Sequence, residues 1–172
     1  MPFILGIVAA IGAILFWTYR ARNAAEMAGE IVDMAKDVRA AARRFGFRRR
    51  MDVHPVEQVE DPKLAIATIG VAFLALDDLP SKDAQVELQR ALGSELGLNI
   101  QDAEEIMVLG QWMVNQCGGP DSAISRVTRR LYKIDGVNSV SGLMDVIKRV
   151  SGNGLSGNQK DAVEEITWAF RL

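Results

Sequence analysis

Cysteine and histidine are almost missing from this chain, which has one of each, Cys117 and His54. A single thiol excludes an intrachain disulfide and fits a reducing compartment. Any Ser/His/Asp triad or Cys/His dyad would have to recruit the one histidine, which stands in the polar stretch Val53-His54-Pro55-Val56. One His and one Cys are also too few for a zinc cluster. No proline occurs between Pro2 and Pro55, so no ring interrupts a helix there. Charge is absent from Pro2 to Thr18, which reads PFILGIVAAIGAILFWT.

That uncharged run sets the first expectation. At about 1.5 Å of rise per residue it extends roughly 26 Å, close to the ~30 Å hydrocarbon core of a bilayer. A cleaved secretory signal would need a charged leader and small residues at a cleavage site. Here no basic residue precedes the run, and Phe16, Trp17, Tyr19 and Arg20 follow or close it. Residues 1–22 therefore read as a transmembrane anchor. Nine Lys/Arg against four Asp/Glu in residues 1–50 put the positive charge on its C-terminal side. The positive-inside rule then expects a single-pass protein of the inner (cytoplasmic) membrane, N-terminus outside and domain in the cytoplasm. Within the span, Gly6 with Ala10 and Ala9 with Ala13 form small-xxx-small pairs that permit close helix packing.

Beyond the anchor, Ala24, Met27, Ile31, Met34, Val38, Ala41 and Phe45 recur at alternating spacings of three and four. Residues 23–45 read as a stalk helix with a heptad seam. The seam has three uses: self-association, giving a homodimer through anchor and stalk; packing on the chain's own domain; or lying on the membrane surface. The stretch Arg43-Arg44-Phe45-Gly46-Phe47-Arg48-Arg49-Arg50 forms a basic collar. Beside a membrane span its five arginines, Arg43, Arg44, Arg48, Arg49 and Arg50, are expected to face anionic lipid. Residues 46–61 read as a basic and polar linker.

Residues 51–172 carry eleven Lys/Arg and eighteen Asp/Glu, a net charge of −7 against +5 in residues 1–50. An acidic domain is a poor partner for nucleic acid. With 49% hydrophobic and 24% charged residues overall, residues 62–172 suffice for one core. Their punctuation marks helices and no strands. Lys63 to Leu76 is nearly all apolar and reads as a central core helix rather than a second span. Pro80 or Ser81 opens the next helix, which Gly97 stops. Asn99 with Asp102 opens another, closed by Gly118-Gly119-Pro120, with Cys117 a small core residue at its end. Asp121 is expected to cap a helix to about Ile134, and a further one covers about 140–150. Ser156 with Gln159 forms a capping box for the last, which carries Val163, Ile166, Trp168 and Phe170. Trp112 and Trp168 both read as core. Six helices make an all-α bundle.

Two junctions are alike. Leu76-Asp77-Asp78-Leu79-Pro80-Ser81-Lys82-Asp83 and Gly152-Asn153-Gly154-Leu155-Ser156-Gly157-Asn158-Gln159 superpose at an offset of 76 residues. Each follows an apolar helix, opens another and is expected to turn a leucine inward. This pattern resembles the TerB-like family of tellurite-resistance proteins, to which the N-terminal region of the membrane-anchored co-chaperone DjlA also belongs. The resemblance covers about residues 62–170 and implies an all-helical bundle of two related halves. It also implies a divalent-cation site at Asp77, Asp78 and Asp83, whose counterparts Asn153, Gly154 and Gln159 are neutral. The competing reading of those acids is helix-start capping and macrodipole stabilisation.

The letters of Gly152, Gly154 and Gly157 match G-x-G-x-x-G, but the pattern needs a preceding strand and an acid about twenty residues on. A helix precedes it here, and no nucleotide site is expected. Glu104-Glu105 and Glu164-Glu165 are sequence neighbours that diverge around a helix, so they read as solvated faces and not as an acid/base pair. With no nucleophile, base or cofactor loop in view, no enzyme is expected. Two readings remain: a membrane-tethered, non-enzymatic adaptor for a protein partner, in envelope stress or tellurite-type resistance as the resemblance implies, or an accessory subunit or assembly factor of a larger membrane complex.

Overall fold

The computed structural model describes residues 37–171 apart from 49, 51 and 153. The expected anchor, its packing residues Gly6, Ala9, Ala10 and Ala13, and the stalk up to residue 36 lie outside the described residues. Among the described residues no helix is long and apolar enough to cross a membrane. The chain divides after Asp37, and the residues from Val38 onward form one compact unit.

After a helical stretch over 37–44 and a 3-10 turn at Pro55–Gln58, the domain comprises α1 (Pro62–Leu74), α2 (Lys82–Leu96), α3 (Ile100–Cys117), α4 (Pro120–Asp135), α5 (Val140–Val150) and α6 (Gly157–Phe170). No strand occurs among the described residues. Local chemistry fixes these boundaries. Asp61, Ser81, Asn99 and Ser156 each accept a backbone N–H in the first turn of the helix they precede. Such a bond satisfies a donor that has no partner inside the helix, and replacing the cap costs about 1 kcal/mol. Gly97 and Gly118 close α2 and α3 at φ of 62° and 85°, a region that favours glycine. At α4 the expectation needs correcting. Asp121 lies in the first turn and Gly119 is the cap, with no side-chain cap bond, because Pro120 takes the first helical position.

The sequence dictates that α1 sits at the centre. Every residue from Leu64 to Phe73 is buried, so this helix has no solvent face and must be enclosed. It packs chiefly against α3 and α4, and also against α2 and α5. Its one interior hydroxyl is satisfied locally, Thr68 Oγ1 donating to the Leu64 carbonyl at 2.8 Å. Close approach to α3 is possible because position 110 is glycine: a Cβ there would stand 3.2 Å from the Thr68 Cα. Around this centre α2 pairs with α5, and Arg149 of α5 reaches Glu95 of α2 at 3.0 Å. α6 packs mainly on α4. The two run in the same direction, since Ile124 meets the start of α6 while Tyr132 sets its ring edge-on to Phe170, 5.7 Å between centres.

Residues ahead of α1 belong to this core. Val38, Ala41 and Phe45, the last three residues of the seam, pack against it, with Ala41 fully buried. Of the three uses open to the seam, packing on the chain's own domain is the one found at these positions. In 46–61, read as a linker, Phe47, Pro55, Val56 and Val59 are buried. Phe47 sets its ring edge-on to Trp112 at 5.8 Å. His54 caps the 3-10 turn, its Nδ1 accepting from the Val56 N–H, and its Nε2 lies 3.2 Å from the Gln116 carbonyl. A neutral ring meets both roles as the Nε2–H tautomer. Arg130 Nε donates to the Val59 carbonyl at 2.8 Å, tying the segment to α4. Polarity and Pro55 conceal these contacts from the sequence, because each partner is far away along the chain.

Three substitutions test this packing. Gly110→Ala places a methyl against α1 backbone and is expected to destabilise by about 1–3 kcal/mol, whereas Gly154→Ala, with no atom within 4 Å of the added Cβ, is expected to stay within about 0.5 kcal/mol of wild type. Thr128 Oγ1 is buried with no hydrogen-bond partner, so the near-isosteric Thr128→Val is expected to gain about 1 kcal/mol by removing an unsatisfied group. Chemical denaturation monitored by circular dichroism measures all three. A neutral Gly110→Ala would contradict the helix contact.

Candidate functional site

The acids singled out from the sequence do not converge. Asp77 and Asp78 lie in the turn between α1 and α2, and Asp83 in the first turn of α2; all three are exposed. Asp78 Oδ1 accepts the N–H of Leu79 at 2.8 Å, a bond within the turn itself. Asp77 Oδ1 instead accepts from Asn158 Nδ2 at 2.9 Å, so the first turn is fastened to the start of α6. Among the described residues no three His, Cys, Asp or Glu side chains stand where they could hold one metal ion.

The bond from Asp77 to Asn158 joins the two junctions that align in sequence. Both open on a serine cap, Ser81 Oγ accepting from Ala84 N–H at 3.2 Å and Ser156 Oγ from Gln159 N–H at 3.1 Å. The second is the full capping box expected, with Gln159 returning a bond to the Ser156 N–H. The leucines, however, part company. Leu155 packs against the core, but Leu79 is 91% exposed, which corrects the expectation of an inward leucine in both turns. The first turn is one residue longer between helix ends.

Beside the Asp77 to Asn158 bond, the start of α4 and the first half of α6 enclose a shallow cleft of about 100 Å³ lined by Asp121, Ile124, Asn158, Asp161, Ala162 and Glu165. Three of its lining side chains are carboxylates. Farther along α6 stands Trp168, expected in the core and found 80% exposed. The reason is angular. Ala162, Ile166 and Phe170 are buried at spacings of four and define the inner face, and two residues beyond Ile166 is a rotation of about 200°, onto the outer face. Trp112, by contrast, is half-buried beneath Phe47.

No family model matches the chain, nor does any curated protein or solved structure.

The basic collar is divided. Arg43, Arg48 and Arg50 are exposed, and Arg49 lies outside the described residues. Arg44 is turned onto α3: its guanidinium lies 2.7 Å from Asp102 Oδ1 and 2.8 Å from Glu105 Oε1. Asp102 Oδ1 is shielded from solvent and takes no aligned hydrogen bond, so its contact with Arg44 is ionic. Asp102 also receives Asn99 Nδ2 at 2.7 Å, and one carboxylate thus serves both the α3 cap and the collar. Glu105, expected on a solvated face, is in fact partly buried against Arg44.

Cys117 closes α3, packed against the core but half-buried rather than enclosed. Burial pushes its thiol above the ordinary value, and the nearby Arg126 opposes that rise in part. Desolvation disfavours the thiolate, so this cysteine is a poor nucleophile.

Two measurements check this geometry. A double-mutant cycle on Asp77→Ala and Asn158→Ala is expected to show a coupling of about 0.5–1 kcal/mol; zero coupling would deny the link between the turns. Alkylation of Cys117 at pH 8 is expected to be slower in the folded protein than in denaturant and to accelerate on raising the pH further, because burial raises the thiol and leaves less thiolate at a given pH. Equal folded and unfolded rates would contradict the burial.

Proposed function

We propose that this chain is a membrane-tethered, non-enzymatic adaptor in which an acidic, TerB-like helical domain is held at the cytoplasmic face by residues 1–22 and meets a protein partner through an outer helix. The observation that carries this reading is Trp168: a large aromatic side chain stands 80% exposed on the peripheral helix, about one turn beyond Glu165 of the carboxylate-lined cleft. Interfaces use tryptophan as an anchor far more often than ordinary surfaces do. The uncharged run Pro2 to Thr18 and the arginines that follow it support the tether and its orientation. The two turns aligned in sequence and linked by Asp77 and Asn158 support a bundle of two related halves, as in TerB-like proteins. Envelope stress or tellurite-type resistance is the process that resemblance suggests. A divalent cation at the Asp77 turn would need Asp77 to leave Asn158, and no step of the adaptor role depends on one. The stalk seam ahead of Val38 would serve a homodimer, and the exposed arginines Arg43, Arg48 and Arg50 would lie against anionic headgroups.

Membrane fractionation and affinity capture of the full chain, compared with a chain lacking residues 1–22, test the proposal. The intact protein is expected in the membrane fraction and the truncated one released from it, both capturing the same partner in substoichiometric amount. Recovery of a stoichiometric large complex that needs residues 1–22 would favour the accessory-subunit reading instead. Failure of either form to capture a protein would overturn the adaptor.

A further inference from the structure

The outer face of α6 carries a pattern that the packing does not use. Relative to Trp168, a rotation of about 100° per residue places Asp161, Glu164 and Glu165 within roughly 60° around the helix axis. All three acids are exposed. Side chains on a helix lean toward its N-terminus, which carries the indole toward the turn of Glu164 and Glu165. Asp121 faces the same stripe across the shallow cleft. Lys160 lies at one edge of it, yet neither it nor any other cation among the described residues pairs with these carboxylates or with the indole.

We infer that this face, Trp168 with Glu164, Glu165, Asp161 and Asp121, docks an arginine-bearing segment of a partner protein. The inference rests on the adaptor reading and supplies the chemistry of its partner. Charge complementarity selects the occupant. The carboxylates repel phosphate, which excludes nucleic acid and anionic headgroups. A bare metal ion would leave the indole unused, and no metal-holding group occurs among the described residues. A guanidinium uses both parts at once: its flat face stacks on the indole while its edge donates to carboxylates on either side. Lysine offers only a point charge and is the weaker ligand. The carboxylate half of that recognition already occurs in this chain, where Arg44 pairs with Asp102 and Glu105.

The test uses the full-length chain in mild detergent, titrated with tetra-arginine, tetra-lysine and tetra-glutamate peptides. The readouts are calorimetry and the indole N–H resonance that Trp168→Phe removes. Tetra-arginine is expected to shift that resonance and to bind more tightly than tetra-lysine, and tetra-glutamate to leave it unmoved. Trp168→Ala is expected to weaken tetra-arginine about threefold, and Glu164→Gln with Glu165→Gln about tenfold. Glu57→Gln with Glu60→Gln, exposed acids ahead of α1, are expected to leave the affinity unchanged. An unmoved Trp168 resonance, or an equal loss from the Glu57 and Glu60 pair, would overturn the inference by showing diffuse charge alone. So would a Trp168 already shielded in the free chain in a concentration-dependent way, which would give the face to a second copy. Partner capture that Trp168→Ala abolishes but that survives Glu164→Gln with Glu165→Gln would remove the arginine chemistry and leave the adaptor's outer-helix contact standing, so the two failures are distinguishable.

Discussion

One helix with no solvent face governs the rest of the domain. From Leu64 to Phe73 every side chain of α1 is buried, and a helix apolar all round is unstable unless others surround it. Burial of its Leu, Ile, Val and Phe side chains is worth about 1.5–3 kcal/mol each, but only if neighbours come close enough to exclude water. Gly110 makes that approach possible on the α3 side. At Gly70 the relation is reversed: a Cβ would stand 2.8 Å from Leu88 Cδ1, so the missing side chain is the space a leucine of α2 fills. With α1 enclosed by α2 to α5, α6 is left at the periphery, packed mainly on α4. It needs only the stripe of Ala162, Ile166 and Phe170 for that packing, and its other faces are free to carry chemistry.

Charge is arranged on the same principle. The acidic surface of the domain and the arginines that precede it attract each other within one chain, and Arg44 shows where that attraction is realised. Exposed ion pairs alone contribute little, about 0–1 kcal/mol. Here the pair is coupled to burial of Ala41 and Phe47 on either side of it, so the apolar contacts hold the segment and the arginine fixes its register. Arg43, Arg48 and Arg50 stay exposed. The collar thus divides between one arginine paired with acids of its own domain and others available to a surface of opposite charge.

Much of the bundle was legible in the sequence because helix boundaries are local. Ser81, Asn99 and Ser156 act as caps through bonds to residues three positions on, and Gly97 and Gly118 end helices by a backbone angle of their own. The central position of α1 was equally legible, since a run with no charge and a single hydroxyl, Thr68, offers no polar face to turn outward. What was not legible depends on direction or distance. Trp168 sits among apolar residues in sequence, yet its angle around α6 opposes that of Ile166. Phe47 and Val59 look like parts of a linker until Trp112 and Arg130, more than sixty residues away, are brought beside them. The candidate site suffered most. Asp77, Asp78 and Asp83 were close in sequence, but the partner of Asp77 is Asn158, in the other half of the chain.

The two turns that align in sequence show how one local architecture can take on different surface properties. Both keep the feature that the helix start requires, a serine whose oxygen accepts a backbone N–H. Positions free of that duty differ in charge and direction: acids and an exposed leucine in the first turn, neutral residues and a packed leucine in the second. An exposed leucine or tryptophan taken singly needs no explanation on a protein surface. Trp168 carries weight because unpaired carboxylates share its face of the helix, whereas Leu79 has only Asp77 and Asp78 as neighbours in its turn, and both already accept hydrogen bonds. Surface chemistry that the fold has not consumed is therefore concentrated on α6, the helix on which the packing makes the fewest demands.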